Sequence, residues 1–101
     1  MTRHAFTVFV TGDSPRGQRA VSALRALCDR HLDRDVDITV VDVLIDAALA
    51  EDYNIVATPT VVRTAPAPPV RALGDLGDTD RVASALGIDT SRRPDDWNGR
   101  R

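Results

Sequence analysis

Short runs of β-branched and aromatic residues alternate along the chain with longer stretches of helical periodicity. The apolar runs cover residues 6–11, 36–43, 60–64 and 70–73. Such runs are typical of β-strands, and the first is apolar on both faces, which predicts a central strand covered from both sides. The intervening periodicity predicts helices over residues 15–32, 47–53 and 78–86. The expected order is therefore β-α-β-α-β-β-α.

The first predicted helix has the clearest division into an apolar and a charged side. At 100° per residue, one arc of the helix is apolar and contains Ala20, Val21, Leu24, Leu27, Cys28 and Leu32. A neighbouring arc, here named the arginine stripe, contains Arg16, Arg19, Arg30 and Arg34. The apolar arc predicts packing against the sheet, and the arginine stripe predicts a basic surface.

Residues that begin and end helices stand at the predicted boundaries. Ser14 precedes Pro15, which pairs a side-chain oxygen suited to an N-cap with a ring that already holds helical φ. Asp46 is expected to cap the second helix, and Asn54 is expected to end it in the left-handed region. Gly87 is expected to stop the last helix.

Pro59 stands at the entrance of the third predicted strand, after Thr58. Proline removes a donor from a strand ladder, so it fits the first position of a strand and not the interior. The opening strand-helix-strand unit implies a right-handed crossover and a parallel pair, whereas the short connection at residues 65–69 implies an antiparallel pair. This layout predicts a thioredoxin-like α/β fold, a mixed four-stranded sheet with helices on both faces. In that fold we expect Pro59 to be cis, facing the start of the first helix.

Length and composition limit the class of protein. A chain of 101 residues with 43% hydrophobic and 28% charged residues fits one globular domain, predicted at residues 1–88, with a mobile polar tail at 89–101. The net charge of −2 argues against a generally basic nucleic-acid-binding protein. No apolar run is long enough for a membrane span. The single cysteine and the absence of a signal pattern predict a cytoplasmic location.

The candidate chemistry is sparse. Thioredoxin-type redox catalysis needs a thiolate at the start of the first helix, but Ser14 and its neighbours include no cysteine, and Cys28 lies in the apolar arc. Ser14 beside a cis proline leaves one enzymatic alternative, a glutathione-dependent enzyme of this fold. His4 and His31 have no spacing typical of a metal site, so no metal or cofactor is expected. Asp42, at the end of a strand, is expected to accept hydrogen bonds in the following turn.

Several segments together resemble the KaiB family of circadian-clock proteins. The resemblance covers residues 6–86 and is carried by the segments VFVTGDSP at 8–15, VDVL at 41–44, LAED at 49–52, IVATPT at 55–60, PPVR at 68–71 and GDL at 74–76, with Arg19, Ala20 and Leu24 in the helix. The resemblance implies a non-enzymatic clock or signalling protein that binds a KaiC-like ATPase ring. A KaiA-like protein is a second implied partner. The family is also related to the sensor domain of a histidine kinase, so a stand-alone relative of that domain is a further alternative.

The resemblance further implies a partner surface and two folds. Arg16, Arg19 and Arg30 of the arginine stripe, with Asp42, are expected to contact the ATPase. Members of the family adopt a tetrameric state with a rearranged second half and a thioredoxin-like state that binds the ATPase, which leaves self-association open. Clock members carry a glycine and an acid where this chain has Ala85 and Gly87. Alanine is favoured over glycine inside a helix by about 0.8–1 kcal/mol, and Gly87 suits a helix stop, so both changes favour the thioredoxin-like state.

Overall fold

The computed structural model describes residues 3–32, 36–74 and 79–88. In chain order it contains β1 (His4–Val10), α1 (Pro15–His31), β2 (Val36–Asp42), α2 (Ala47–Asp52), β3 (Thr60–Ala65), β4 (Val70–Leu73) and α3 (Thr79–Ala85). The order of elements is the predicted one. Arg34 and the predicted tail at residues 89–101 lie outside the described residues.

The four strands form one mixed sheet in the order β2-β1-β3-β4. β1 pairs with β2 in parallel, from His4 opposite Val36 to Val10 opposite Asp42. β3 runs antiparallel to both β1 and β4. The parallel pair joined through α1 and the antiparallel pair joined by the short proline-rich connection confirm the predicted thioredoxin-like layout.

The core lies in two layers, one on each face of the sheet. On the first face, α1 and α3 pack over side chains of β1, β3 and β4, and the largest of these buried residues are Phe6, Leu24 and Leu86. On the second face, the short helix α2 packs over Phe9, and the ring of Tyr53 lies 5.4 Å from that of Phe9. Alternate residues of β1 therefore fill opposite layers, as the period of a strand requires.

The predicted helix boundaries have the expected local geometry. Ser14 Oγ accepts a hydrogen bond from the Gly17 amide at 3.1 Å, and Asp46 Oδ1 accepts one from the Leu49 amide at 3.1 Å. Asn54 has φ 55° and Gly87 has φ 71°, which is the left-handed region that ends helices. The Thr58–Pro59 bond is cis, as the layout predicts.

The strand and helix ends differ slightly from the predicted ones. β1 begins at His4 and ends at Val10, instead of covering residues 6–11, because its pairing with β2 starts opposite Val36. α2 ends at Asp52, one residue early, and β3 continues to Ala65. The Ala65–Pro66 and Ala67–Pro68 bonds are also cis, which no sequence pattern predicted.

A buried leucine and an exposed leucine make a matched test of the core. Leu24 is fully buried between α1 and the sheet, whereas Leu44 is 71% exposed in the loop after β2. Leu24→Ala should lower the free energy of unfolding by about 2–5 kcal/mol, since it removes packed atoms and leaves a cavity. The same change at Leu44 should alter it by less than about 0.5 kcal/mol. Urea unfolding followed by circular dichroism measures both, and equal effects would contradict the packing described.

Candidate functional site

The loops that follow β1 and β2 meet at one end of the sheet, and Asp42 joins them. Its Oδ1 accepts hydrogen bonds from the Gly12 amide at 3.0 Å and from the Leu44 amide at 2.9 Å. The Ile45 and Asp46 amides both donate to the Asp42 carbonyl at 2.9 Å. Asp42 therefore accepts hydrogen bonds in the turn after β2, as the sequence analysis expected. Its Oδ1 bonds to main-chain amides.

The Pro59 segment reaches the same end of the sheet. The hydroxyls of Thr11 and Thr58 share a hydrogen bond of 2.6 Å, which ties the loop before α1 to the residue before Pro59. Gly17 is buried in the first turn of α1, where an added Cβ would lie 3.0 Å from Val10 and from Ser14 Oγ. The absence of a side chain at Gly17 thus lets α1 approach β1 closely. This corner carries Ser14 and threonine hydroxyls, and no sulfur atom.

Cys28, the only cysteine, is not available for exchange chemistry. It is buried among the apolar residues of the first core layer and is 4% exposed. Burial first, and the nearby Asp29 carboxylate second, raise the pKa of the Cys28 thiol from its ordinary value of 9.0 to about 11. A protonated thiol is a poor nucleophile. The prediction that Cys28 is a small core side chain is confirmed.

The part of the arginine stripe that the structure describes is exposed. Arg16, Arg19 and Arg30 all have exposed side chains on α1. Asp13 is also exposed, just before the helix. Three basic side chains therefore lie along one flank of α1, and one acidic side chain, that of Asp13, precedes its first turn.

A cleft of about 450 Å³ lies on the opposite flank of α1, towards β2. It is lined by Val10, Gly12, Asp13, Gly17, Gln18, Val21, Ser22 and Val40. At 100° per residue, the α1 residues of this cleft stand roughly 150° around the helix from the arginine stripe. The sequence analysis expected the arginine stripe and Asp42 to share one partner surface. The cleft and the arginine stripe lie on different flanks of α1, and a partner surface shared by the stripe and Asp42 stays a prediction.

Three exposed apolar side chains were missed by the sequence analysis. Leu44 is 71% exposed, Ile45 is 84% exposed and Val56 is 90% exposed. We name Leu44, Ile45 and Val56 the loop surface. Leu44 lies over the Gly12 turn, and Val56 is two residues from Thr58, which bonds Thr11. The available sequence signal was the placement of large apolar residues in segments predicted to be loops.

Other kinds of site find no support in the part of the chain that the structure describes. Within residues 3–32, 36–74 and 79–88, no three side chains of the metal-binding types cluster together. Among the same residues no helix is both long and apolar enough to cross a bilayer. His31 is half-buried at the end of α1, and its Nδ1 has no partner among the described residues.

Known proteins are similar to this chain in sequence and in fold. A family model described as KaiB domain matches residues 7–88. A protein named circadian clock protein KaiB3, from Synechocystis sp., is 33% identical over 88 residues, which is 87% of this chain and 86% of that protein. The N-terminal domain of Synechococcus elongatus SasA superposes with a TM-score of 0.70 at 24% identity, over 85% of this chain and 81% of that one. Mitochondrial thioredoxin 3 of Saccharomyces cerevisiae superposes with a TM-score of 0.66 at 15% identity, over 86% and 79%.

These likenesses define the class of protein in two steps. The two structures below 25% identity show the fold, a thioredoxin-like domain, which here lacks a cysteine at the start of α1. The match over residues 7–88 and the KaiB3 relative show the family: the chain belongs to the KaiB family. Proteins of this family are non-enzymatic clock components, which argues against a glutathione-dependent enzyme built on Ser14.

The burial of Cys28 predicts that the stability of the fold depends on pH in the alkaline range. Because the pKa of this thiol is 9.0 when exposed and about 11 when folded, the unfolded chain releases the proton first as the pH rises. Stability from the buried thiol is therefore fully present below pH 9.0 and is lost as the pH rises towards 11. Near neutral pH, iodoacetamide should label Cys28 only through unfolded molecules, and Cys28→Ala should remove the thiol's share of the alkaline destabilisation. Rapid labelling of the native protein would contradict the burial.

Proposed function

We propose that the chain is a non-enzymatic adaptor that binds a KaiC-like ATPase, with the arginine stripe as the charged part of the contact. Membership of the KaiB family supports this proposal, and the single observation that carries it is the row of exposed arginines along α1. The proposal concerns a binding protein because the corner that holds the reactive cysteines in thioredoxins carries hydroxyls here. Recognition of the partner must therefore depend on shape, charge and apolar contact.

The charges of α1 favour an acidic partner surface. Arginine presents a planar guanidinium that pairs well with carboxylates, and opposite charges across an interface raise the association rate and fix orientation. Arg16, Arg19 and Arg30 recur along one flank of the helix, so a partner that lies along the helix axis meets all three. Such a contact weakens as salt screens the charges.

The loop surface supplies the apolar part of the proposed contact. Large apolar side chains at high exposure are typical of interaction sites when they cluster. Leu44 and Ile45 are held outward by a turn in which the Asp42 carboxylate and carbonyl accept four amide hydrogen bonds. Because the turn is already ordered, binding through these side chains has a small ordering cost. Asp42 would thus support the contact by positioning the loop.

Charge reversal on either flank of α1 tests which side meets the partner. Arg19→Glu should weaken binding to the cognate KaiC-like ATPase by about tenfold, or about 1.4 kcal/mol. Arg25→Glu is the matched control, because Arg25 is exposed on the same helix but outside the arginine stripe. Affinity is measured by calorimetry with the purified ATPase. Absence of any complex with the wild-type chain, or equal losses for the two variants, would count against the proposal.

The apolar part has its own matched pair. Ile45→Asp should weaken the same complex. The side chain of Ile45 is 84% exposed, and the change would place a charge where the proposed contact is apolar. Leu73→Asp is the control, since Leu73 is 62% exposed on β4, at the far edge of the sheet from β2. Circular dichroism confirms that both variants fold. A loss of affinity for Leu73→Asp alone would contradict an apolar contact at the loop surface.

The cytoplasm is the proposed location, since a lone buried cysteine suits a reducing compartment. A KaiA-like protein and a histidine kinase remain implied partners of the family resemblance. No contact or charge of the described residues favours either of them over the ATPase. Self-association is measured separately, by analytical ultracentrifugation of the free chain.

A further inference from the structure

Arg63, in the middle of β3, is a buried cation in an otherwise apolar layer. It is 9% exposed and lies on the same face of β3 as Val61, beneath α3. Its Nη1 donates to the Leu86 carbonyl at 3.0 Å, and its Nη2 donates to the Pro68 carbonyl at 3.1 Å. Among the described residues its guanidinium has no carboxylate partner, and its Nε is buried without an acceptor.

The position of this charge couples three parts of the chain. Burying an ionised group without compensation is costly, so the two carbonyl contacts are needed to keep Arg63 in place. The Leu86 carbonyl belongs to the carboxyl end of α3, where unsatisfied carbonyls form the negative pole of the helix. Pro68 lies in the connection between β3 and β4. One guanidinium therefore holds β3, that connection and the end of α3 together.

Gly87 lies against the guanidinium of Arg63. Its φ of 71° disfavours any side chain, and an added Cβ would lie 2.5 Å from Arg63 Nη1. A side chain at position 87 would therefore meet two separate obstacles, the backbone angle and the guanidinium above it. The second obstacle exists only while Arg63 is in place.

We propose that Arg63 is a latch for α3, which makes the docking of this helix depend on one buried cation. A seven-residue helix has little stability of its own, so α3 depends on its contacts with the sheet. When α3 is docked, its carboxyl end compensates the guanidinium. When α3 moves away, the guanidinium loses one of its two acceptors and the Leu86 carbonyl loses its donor. Opening of the latch exposes Val82, Ala83, Leu86 and Ile88 without unfolding the β1–β2 pair.

Native-state hydrogen exchange tests the latch residue by residue. The amides of Leu86, Gly87 and Ile88 bond to carbonyls of α3 and report its opening, whereas β1 amides report global unfolding. Arg63→Met keeps the aliphatic stem and removes the donors. It should speed exchange of the three α3 amides about tenfold more than exchange of the β1 amides. Exchange at α3 that is unchanged, slower, or faster only in step with β1 would overturn the proposal.

Arg71→Met is the matched control for loss of an arginine bonded to main chain. Arg71 Nη2 donates to the Tyr53 carbonyl at 2.6 Å, close to the end of α2, but the side chain is exposed. This change should leave the α3 amides unaffected relative to β1. If it speeds them as much as Arg63→Met does, the effect is not specific to the latch. Should Arg63→Met not fold, Arg63→Lys replaces the two-donor fork with one nitrogen, and unchanged α3 exchange in that variant would overturn the proposal.

A double-mutant cycle isolates the contact between Arg63 and Gly87. Gly87→Ala introduces the same backbone strain in the wild-type and Arg63→Met backgrounds, so that strain cancels in the cycle. The steric conflict with Nη1 exists only when Arg63 is present. Gly87→Ala should therefore speed α3 exchange about tenfold more in the wild-type background than in the Arg63→Met background. Equal effects in the two backgrounds would overturn the assignment of Arg63 as the latch.

Discussion

Strand β1 is bonded to a neighbour along both edges and buried on both faces, and the other elements take their places from it. Its parallel partner β2 and antiparallel partner β3 set the sheet, while Phe6 and Phe9 point into opposite core layers. α1 and α3 must cover one face and α2 the other, because either face left bare would expose apolar side chains to water. The loops at the carboxyl ends of β1 and β2 then meet at one end of the sheet.

In a thioredoxin, the reactive cysteines lie at that end of the sheet. Here the same end has hydroxyl groups and exposed apolar side chains. The loops are ordered by Asp42 and by the paired hydroxyls of Thr11 and Thr58, and they present exposed apolar side chains. The only thiol, Cys28, is buried three turns away with a raised pKa. The scaffold thus keeps its ordered loops without a nucleophile of thioredoxin type. A basic flank on α1 and an apolar loop surface are the features that this leaves for recognition.

The sequence was sufficient for features that are local or periodic. Ser14 before Pro15, Asp46 before α2 and the two-sided apolar run of β1 each depend on neighbouring residues, so their structures followed directly. Arg63 did not, because its acceptors are 5 and 23 residues away and a charged side chain on a strand usually faces water. The cleft between α1 and β2 was also missed, since a helical wheel gives angles around α1 and not which flank faces β2.

We infer that this thioredoxin-like domain of the KaiB family acts by binding, with charge on α1 as a main contribution. Calorimetric titration of the wild-type chain into its cognate KaiC-like ATPase, at low and at high salt, tests that claim most directly. We expect saturable binding whose affinity falls as salt rises, because exposed arginines are screened. Lack of binding at either salt concentration, or an affinity that is insensitive to salt, would contradict it.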